Sequence, residues 1–588
     1  MRGRILAEAV ESERAAEGNH SRRVCRIDRW HLLAALLFVA AGLITFRDVL
    51  HAGPMSSAMV SSPDHLLLIS EGDVVFEAWL TARNAHTIAT APLQLFDTPH
   101  CAPAKQTLTL GIPMVTMGLL AIPVALFTEN PALAYNFSTF MLLTLSALAM
   151  YLLVREWTGV AAAGIIAGLL YAFNPLRLGI YITHPSVWDS GWLVFALFFS
   201  RRLFAYGRWR DAIGLALACT LQIGASFYPL LASTLMAPAF VAWLLYRYGF
   251  RKVRITQLAF VLTVIAGVAA LLFNPYLNAH EAGEIGGRSE FFFVRWSDFL
   301  PGRHLFLGWG AMALGLIGLL VPRKQVLREV CGDPRWALVA GALVTTVVAA
   351  GQFNNQLLNL IWSSPPFQIP NLYELLSSFV PGLDSIRLVF RLSVAMLISV
   401  CVLAGMGAAW LIVRSGKQAT LASTVMIVLA LLSIIPEPSP RGTVQVRADP
   451  QEVQFFEQLE AMGNRGPILE VPLMTGIARS LIAPSKILLT AYHNRRISTC
   501  FGSFRAPERE ALWDLVEGLP EPRAIDGLRQ LGFTTLIVNK KAIVFAYQLE
   551  RRIDAAAAGS LPLLLEDEKF SAYDFGQQPD VSSKNDAQ

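Results

Sequence analysis

Apolar runs set the rhythm of this chain. They fall at roughly 30–47, 109–128, 131–154, 158–174, 186–200, 211–226, 228–246, 255–276, 303–322, 336–353, 388–413 and 419–435, with short polar stretches between them. A hydrocarbon core about 30 Å thick needs ~20 residues of helix, and each run is that long or close to it. The pattern predicts a mainly α, polytopic helical membrane protein. The run at 109–128 is expected not to cross. It carries Pro113 and Pro123 and ends in the polar Thr128-Glu129-Asn130-Pro131. Proline removes a helical hydrogen bond, so this segment fits a juxtamembrane or re-entrant helix covered by protein. Eleven of the twelve runs remain as spans.

The basic clusters agree with that count. Arg22, Arg23, Arg26 and Arg29 precede the first span, and further clusters lie at 201–210, 247–254, 323–335 and 414–417. Basic loops face the cytoplasm. All five share one side only if 109–128 stays on the other, which leaves residues 1–29 as a cytoplasmic tail. The loops 48–108, 277–302 and 354–387 then lie outside, as does everything after Pro436. That last part, 436–588, changes pattern. "DPQEVQFFEQLEAM" and "AIDGLRQLGF" read as amphipathic helices, "PILEVP" and "TTLIVN" as strands, so a C-terminal α/β extracytoplasmic domain is expected to follow a membrane domain at 30–435.

Composition narrows the class further. Of 588 residues 54% are hydrophobic and 15% charged, against about 25% charged in soluble domains. The net charge of +5 is spread over loop clusters, which excludes a nucleic-acid-binding face. Six cysteines show no metal spacing. No cleavable signal is read at the N-terminus, and Trp30–Phe46 is expected to be retained as a span.

Several motifs resemble one family. Gly72-Asp73, Trp79 and Ala85-His86 are followed by "PLQLFDTPHCAPAKQTL", "NPALAYNFSTF" and "AMYLLVREWTGVAAAGIIAGLLYAFNPLRL". "GGRSEFFFVRWSDFLPG", "VPGLDSIRLVFRLSVAM", "ILEVPL" and "LGFTTLIV" come later. Together they resemble bacterial polytopic glycosyltransferases of the GT-C superfamily, the group that uses polyprenyl-phosphate sugars. The sequence departs from the family pattern at Leu110-Gly111-Ile112-Pro113, at Cys101-Ala102-Pro103 and at Gly72-Asp73-Val74. The resemblance implies a multi-pass protein of the bacterial inner membrane that transfers a hexose from a polyprenyl-phosphate donor to an extracytoplasmic glycan, lipid or protein acceptor. It implies no cofactor, and no metal ligand set is read from the residues.

The resemblance places the catalytic carboxylate in the first outer loop, at Asp73. An acceptor hydroxyl must lose its proton as it attacks the anomeric carbon, and a positioned carboxylate can take it. The same residue could instead cap a helix beginning at Val74. Glu71 is the nearest substitute, and Glu77, one turn along, reads as a solvated face. His184 and Asp189, in "YITHPSVWDSGW", are further catalytic candidates, because ionisable groups near membrane depth are costly and usually functional; His184 could alternatively cap the helix after Pro185. For the donor phosphate the candidates are Arg288, Arg295, Arg387 and Arg391, with Lys105 and His86 weaker. Arg387 and Arg391 are spaced one helical turn apart. Cys101 and Cys500, both expected outside, would clamp the first loop to the tail if they paired. Two other readings fit the same residues: an inactive relative that scaffolds envelope-glycan assembly, and a lipid-glycan transporter.

Overall fold

The computed structural model describes residues 29–61, 67–283, 285, 292–328, 332–361, 370–380, 382–433, 441–463, 466–474, 476–504, 506–540 and 561–576. The N-terminal stretch 1–28 and Arg288 lie outside these described residues. The chain is mainly helical, with a small sheet near its C-terminal end.

Helices stand where the apolar runs predict them. Among the described residues six are long and apolar enough to cross a membrane: Pro131–Thr158, Ala161–Leu178, Phe227–Tyr248, Ile255–Glu281, Arg335–Gln356 and Val389–Arg414. Local signals set their ends. Pro131–Thr158 starts at Asn130, whose side chain accepts from the Leu133 amide at 2.8 Å, and stops at Gly159 with φ +76°. A cap and a left-handed glycine are the expected terminators. The 109–128 run holds a single helix of 11 residues, Val115–Ala125, with Pro123 inside it, about 16 Å at 1.5 Å per residue. That is half of a hydrocarbon core. Trp309–Leu320 and Val394–Arg414 pack backbone to backbone: a Cβ on Gly318 would lie 1.8 Å from the Leu403 carbonyl and one on Gly407 2.1 Å from that of Leu314. Without a hydrophobic drive between helices in lipid, such close contact supplies the adhesion.

The tail is α/β, as its pattern predicts. Strands β3 (Ile468–Val471), β4 (Thr535–Asn539), β5 (Leu563–Glu566) and β6 (Phe570–Asp574) form one sheet in the order β3-β4-β6-β5. β3 and β4 run parallel; β6 is antiparallel to both β4 and β5. The Pro450–Ala461 helix begins at Asp449, which accepts from the Gln451 amide at 2.9 Å, and buries Phe455, Phe456 and Leu459.

Three fastenings tie this tail to the loop at 48–108, more tightly than a separate domain would require. β1 (Ser57–Ser61) pairs antiparallel with β2 (Arg441–Gln445). Cys101 and Cys500 form a disulfide. The Gly476–His493 helix lies along the Leu67–Thr90 helix, where Trp79 Nε1 donates to Thr490 Oγ1 at 2.9 Å. Phe455, Phe456, Leu459 and Ile487 share one continuous apolar core with the membrane helices.

Candidate functional site

The Leu67–Thr90 helix carries Asp73 well inside it, so the side chain caps nothing. Successive residues turn by about 100°. Glu71 therefore points roughly opposite to Asp73, and Glu77 stands above Asp73 on the same face. Glu77 is not a solvated face residue: it is 8% exposed. Tyr135 Oη lies 3.5 Å from Glu77 Oε2.

His184 closes the group. It stands at the N-terminal edge of the short Pro185–Trp188 turn but makes no side-chain cap there. Its ring sits between the two carboxylates instead, with Nε2 3.8 Å from Asp73 Oδ2 and Nδ1 3.5 Å from Glu77 Oε1. Both separations are longer than a well-formed hydrogen bond. The Asp73 side chain keeps 29% of its surface exposed and His184 18%. Asp73 is therefore reachable from solvent while its neighbours are mostly covered.

Charge around Asp73 is mixed. Burial raises its pKa above the ordinary 3.8, the charge of Glu77 adds to the rise, and His184, Arg391 and Arg387 oppose it. For His184, burial dominates and pushes the imidazole down to about 4. The ring is thus neutral near pH 7 and has one N–H to offer.

Arg387 and Arg391 come to this carboxylate from the far end of the chain, though not from one α-helical face. Arg387 precedes a 3-10 turn, Val389–Ser393, that contains Arg391. The Arg391 guanidinium lies 5.1 Å from the Tyr228 ring centroid, and its Nε is buried with no hydrogen-bond partner among the described residues. Arg387 stands 6.0 Å from the centroid of Phe292. Both cations lie close enough to act on the charge of Asp73.

Other sequence candidates sit elsewhere. His86 is about 20 Å along the helix from Asp73 by the helical rise and faces Glu129 at 3.8 Å. Lys105 is exposed in the loop, and Arg295 is exposed over Phe353, 5.4 Å from the ring centroid. Asp189 is 1% exposed and belongs to a different polar group with Arg177, which donates through Nη2 to Ser190 Oγ at 2.9 Å. Among the described residues no three His, Cys, Asp or Glu side chains are grouped so as to hold a metal ion. Sequence reasoning missed Tyr135 and Tyr228 and misjudged Glu77. The four-residue step from Asp73 to Glu77 was the available signal.

The chain thus combines a multi-helix membrane body, a reachable carboxylate on a loop helix and a strapped-on α/β tail. Among solved structures the chain is similar to the arabinofuranosyltransferase AftD from mycobacteria, with a TM-score of 0.50 and 16% identity over 94% of this chain and 40% of that one. A variant of the same enzyme aligns with a TM-score of 0.52 and 17% identity, over 95% of this chain and 42% of the other. The chain therefore spans about two fifths of the AftD length. ArnT from Cupriavidus metallidurans, bound to undecaprenyl phosphate, aligns over 92% of this chain and 99% of its own, with a TM-score of 0.41 and 13% identity. At these identities the fold is what is shared. No protein-family model matches the sequence, and no curated protein matches it.

Proposed function

We propose that this chain is an integral-membrane glycosyltransferase that moves a sugar from a polyprenyl phosphate to an acceptor hydroxyl on the outer face of the bacterial inner membrane. One observation carries the reading: a solvent-reachable Asp73 lies beside a neutral imidazole and a second carboxylate, within the field of Arg387 and Arg391. The fold shared with an arabinofuranosyltransferase supports it.

The chemistry follows from those positions. The acceptor oxygen attacks the anomeric carbon as its proton passes to Asp73. The bond from that carbon to the phosphate oxygen breaks, and its electron pair leaves with the polyprenyl phosphate. Arg387 and Arg391 balance the phosphate charge, which guanidinium forks are suited to do. Attack from the face opposite the phosphate inverts the anomeric centre. His184 lies between Asp73 and Glu77 and orients the base, and the raised pKa makes Asp73 a stronger proton acceptor than an exposed carboxylate.

The test is Asp73→Asn against wild type at matched membrane expression, read as the profile of lipid-linked sugars and surface glycans. Asparagine keeps the size and removes the base. Loss of one glycosylated product, with its lipid-linked donor accumulating, is the expected result. A profile equal to wild type, where the deletion strain does differ, overturns Asp73 as base and favours the scaffold.

A further inference from the structure

The motifs "YAFNPLRL" and "YITHPSVWDSGW" fold against each other. The first ends the Ala161–Ala172 helix and turns through Pro175–Leu178. There the Asn174 side chain accepts from the Leu176 amide at 3.0 Å and donates to the Leu307 carbonyl at 2.8 Å. The second runs from the Ile180–Thr183 turn through His184 to Ser190, where the Gly191–Tyr206 helix begins. Gly191 seats that end on the Pro131–Thr158 helix: a Cβ there would lie 2.3 Å from Ser146 Oγ.

Arg177 is what the two motifs close around. Its side chain is wholly buried, and a buried charge is costly without partners. The guanidinium lies 3.9 Å from the centroid of the Tyr171 ring and 5.5 Å from that of Trp188, neighbours that suit a planar cation. Nη2 donates to Ser190 Oγ at 2.9 Å, across 13 residues of chain. The same Ser190 oxygen lies 2.8 Å from Tyr171 Oη and donates to the Trp188 carbonyl at 3.2 Å, so the hydroxyl uses its one proton and both lone pairs. Asp189 is buried beside it, and the charge of Arg177 acts on its carboxylate. Nε and Nη1 of Arg177 and both Asp189 carboxylate oxygens have no hydrogen-bond partner among the described residues. The two therefore balance in charge rather than through a direct bond. Gln222 Nε2 fixes the Asp189 backbone, donating to its carbonyl at 3.0 Å.

Residues 178–187 leave Arg177 and return to Trp188 as a bow, and His184 on that bow reaches Asp73 and Glu77. A loop closed at its foot has fewer conformations than an open one. We infer that Arg177 is a positioning residue for the candidate site: it pins the foot of the bow and so holds the His184 ring between Asp73 and Glu77. Its effect on activity rests on the proposed transfer reaction; its effect on the place of His184 does not. In this arrangement Asp189 serves Arg177 as counter-charge. Lysine would keep a charge beside Asp189 but has neither the fork nor the planar face.

The test uses the full-length protein in detergent micelles, with diethyl pyrocarbonate as the probe. This reagent acylates neutral imidazoles, and the yield at each histidine is read by mass spectrometry at neutral pH. His86, 53% exposed, is the internal reference for His184, 18% exposed. In Arg177→Lys the labelling of His184 relative to His86 is expected to rise up to about threefold, the ratio of those exposures. The product that Asp73→Asn abolishes, per mole of membrane protein, should fall roughly 10- to 100-fold in Arg177→Lys, as for a misplacement of about 1 Å. His184→Gln should lose as much, and the double variant no more, because both changes act through one position. Ser190→Ala removes only a hydroxyl; it should shift the labelling the same way and keeps the test readable if Arg177→Lys does not fold. Unchanged His184 labelling in both variants, or losses that multiply in the double variant, would overturn the assignment. Raised labelling in a protein whose Asp73→Asn form stays active would uphold the pin and overturn the transfer reaction instead.

Discussion

Gly72 sits one residue before Asp73, at the closest approach of the loop helix to the tail. A Cβ there would lie 2.3 Å from the Ser480 carbonyl oxygen and 3.3 Å from Pro484 Cγ. The contact has a physical origin. Pro484 has no N–H, so the Ser480 carbonyl, four residues earlier, loses its partner inside the Gly476–His493 helix, and only a residue without a side chain lets that oxygen come so near. In Gly72→Ala the Cβ would need ordinary contact of at least 3.4 Å where 2.3 Å is available, so the helices must part by about 1 Å. Alanine favours a helix over glycine by ~1 kcal/mol, which leaves interhelical crowding of ~1–3 kcal/mol as the opposing effect. The turn that moves carries Asp73, and a displacement of about 1 Å at a reacting group can cost roughly 100-fold in rate. The expected result is a small change in thermal midpoint and a loss of turnover approaching 100-fold. The assay is the yield of whichever product Asp73→Asn abolishes, per mole of membrane protein, with thiol labelling to show that Cys101 and Cys500 are still paired. Wild-type turnover with an unchanged midpoint would refute the reasoning, because it would mean that the tail does not set the position of Asp73.

Two further predictions concern the charges. The Glu77 carboxylate raises the Asp73 pKa, so Glu77→Gln should lower it. Because the base works in its ionised form, activity in wild type falls as pH drops through a value above 3.8, and in Glu77→Gln that acid limb should move to lower pH; a limb that stays put or moves upward contradicts the arrangement. Arg391→Gln should raise the KM for the lipid-linked donor by roughly 10- to 100-fold, the size of a lost charge-assisted hydrogen bond, while the acceptor KM stays within about twofold; an equal effect on both would place Arg391 outside the phosphate site.

The helices were legible because a bilayer asks for long apolar runs, and the chain supplies them almost without interruption. "PILEVP" and "TTLIVN" were legible because short β-branched runs bounded by turn residues leave few alternatives. The Gly476–His493 helix was not, since Pro484 in its middle reads as a breaker, and its packing against the Leu67–Thr90 and Pro450–Ala461 helices is long-range. At the candidate site Asp73 and His184 could be picked out as polar groups near membrane depth, and the structure sets them 3.8 Å apart. Glu77 could not be weighed correctly. Whether a carboxylate one turn along is solvated or buried depends on what covers it, and the cover, Tyr135 and His184, comes from segments 58 and more residues away. Cys101-Ala102-Pro103, a departure from the family pattern, has its reason in the disulfide to Cys500, a partner that no local pattern could indicate.

The bond between Trp79 and Thr490 joins residues 411 apart. At ~5–20 residues per second of synthesis, the ribosome needs about 20 to 80 s to travel from one to the other. During that time the side of the Leu67–Thr90 helix that carries Trp79 lacks the cover that the Gly476–His493 helix will supply. The last-made part of the chain is what completes the first. Whatever shields Trp79 in the interval, whether the bilayer surface, the later membrane helices or a chaperone, the tail must be in place before the contact between Trp79 and Thr490 can help to hold the helix of Asp73. If the chain works as proposed, no half-built copy could spend a lipid-linked sugar before then.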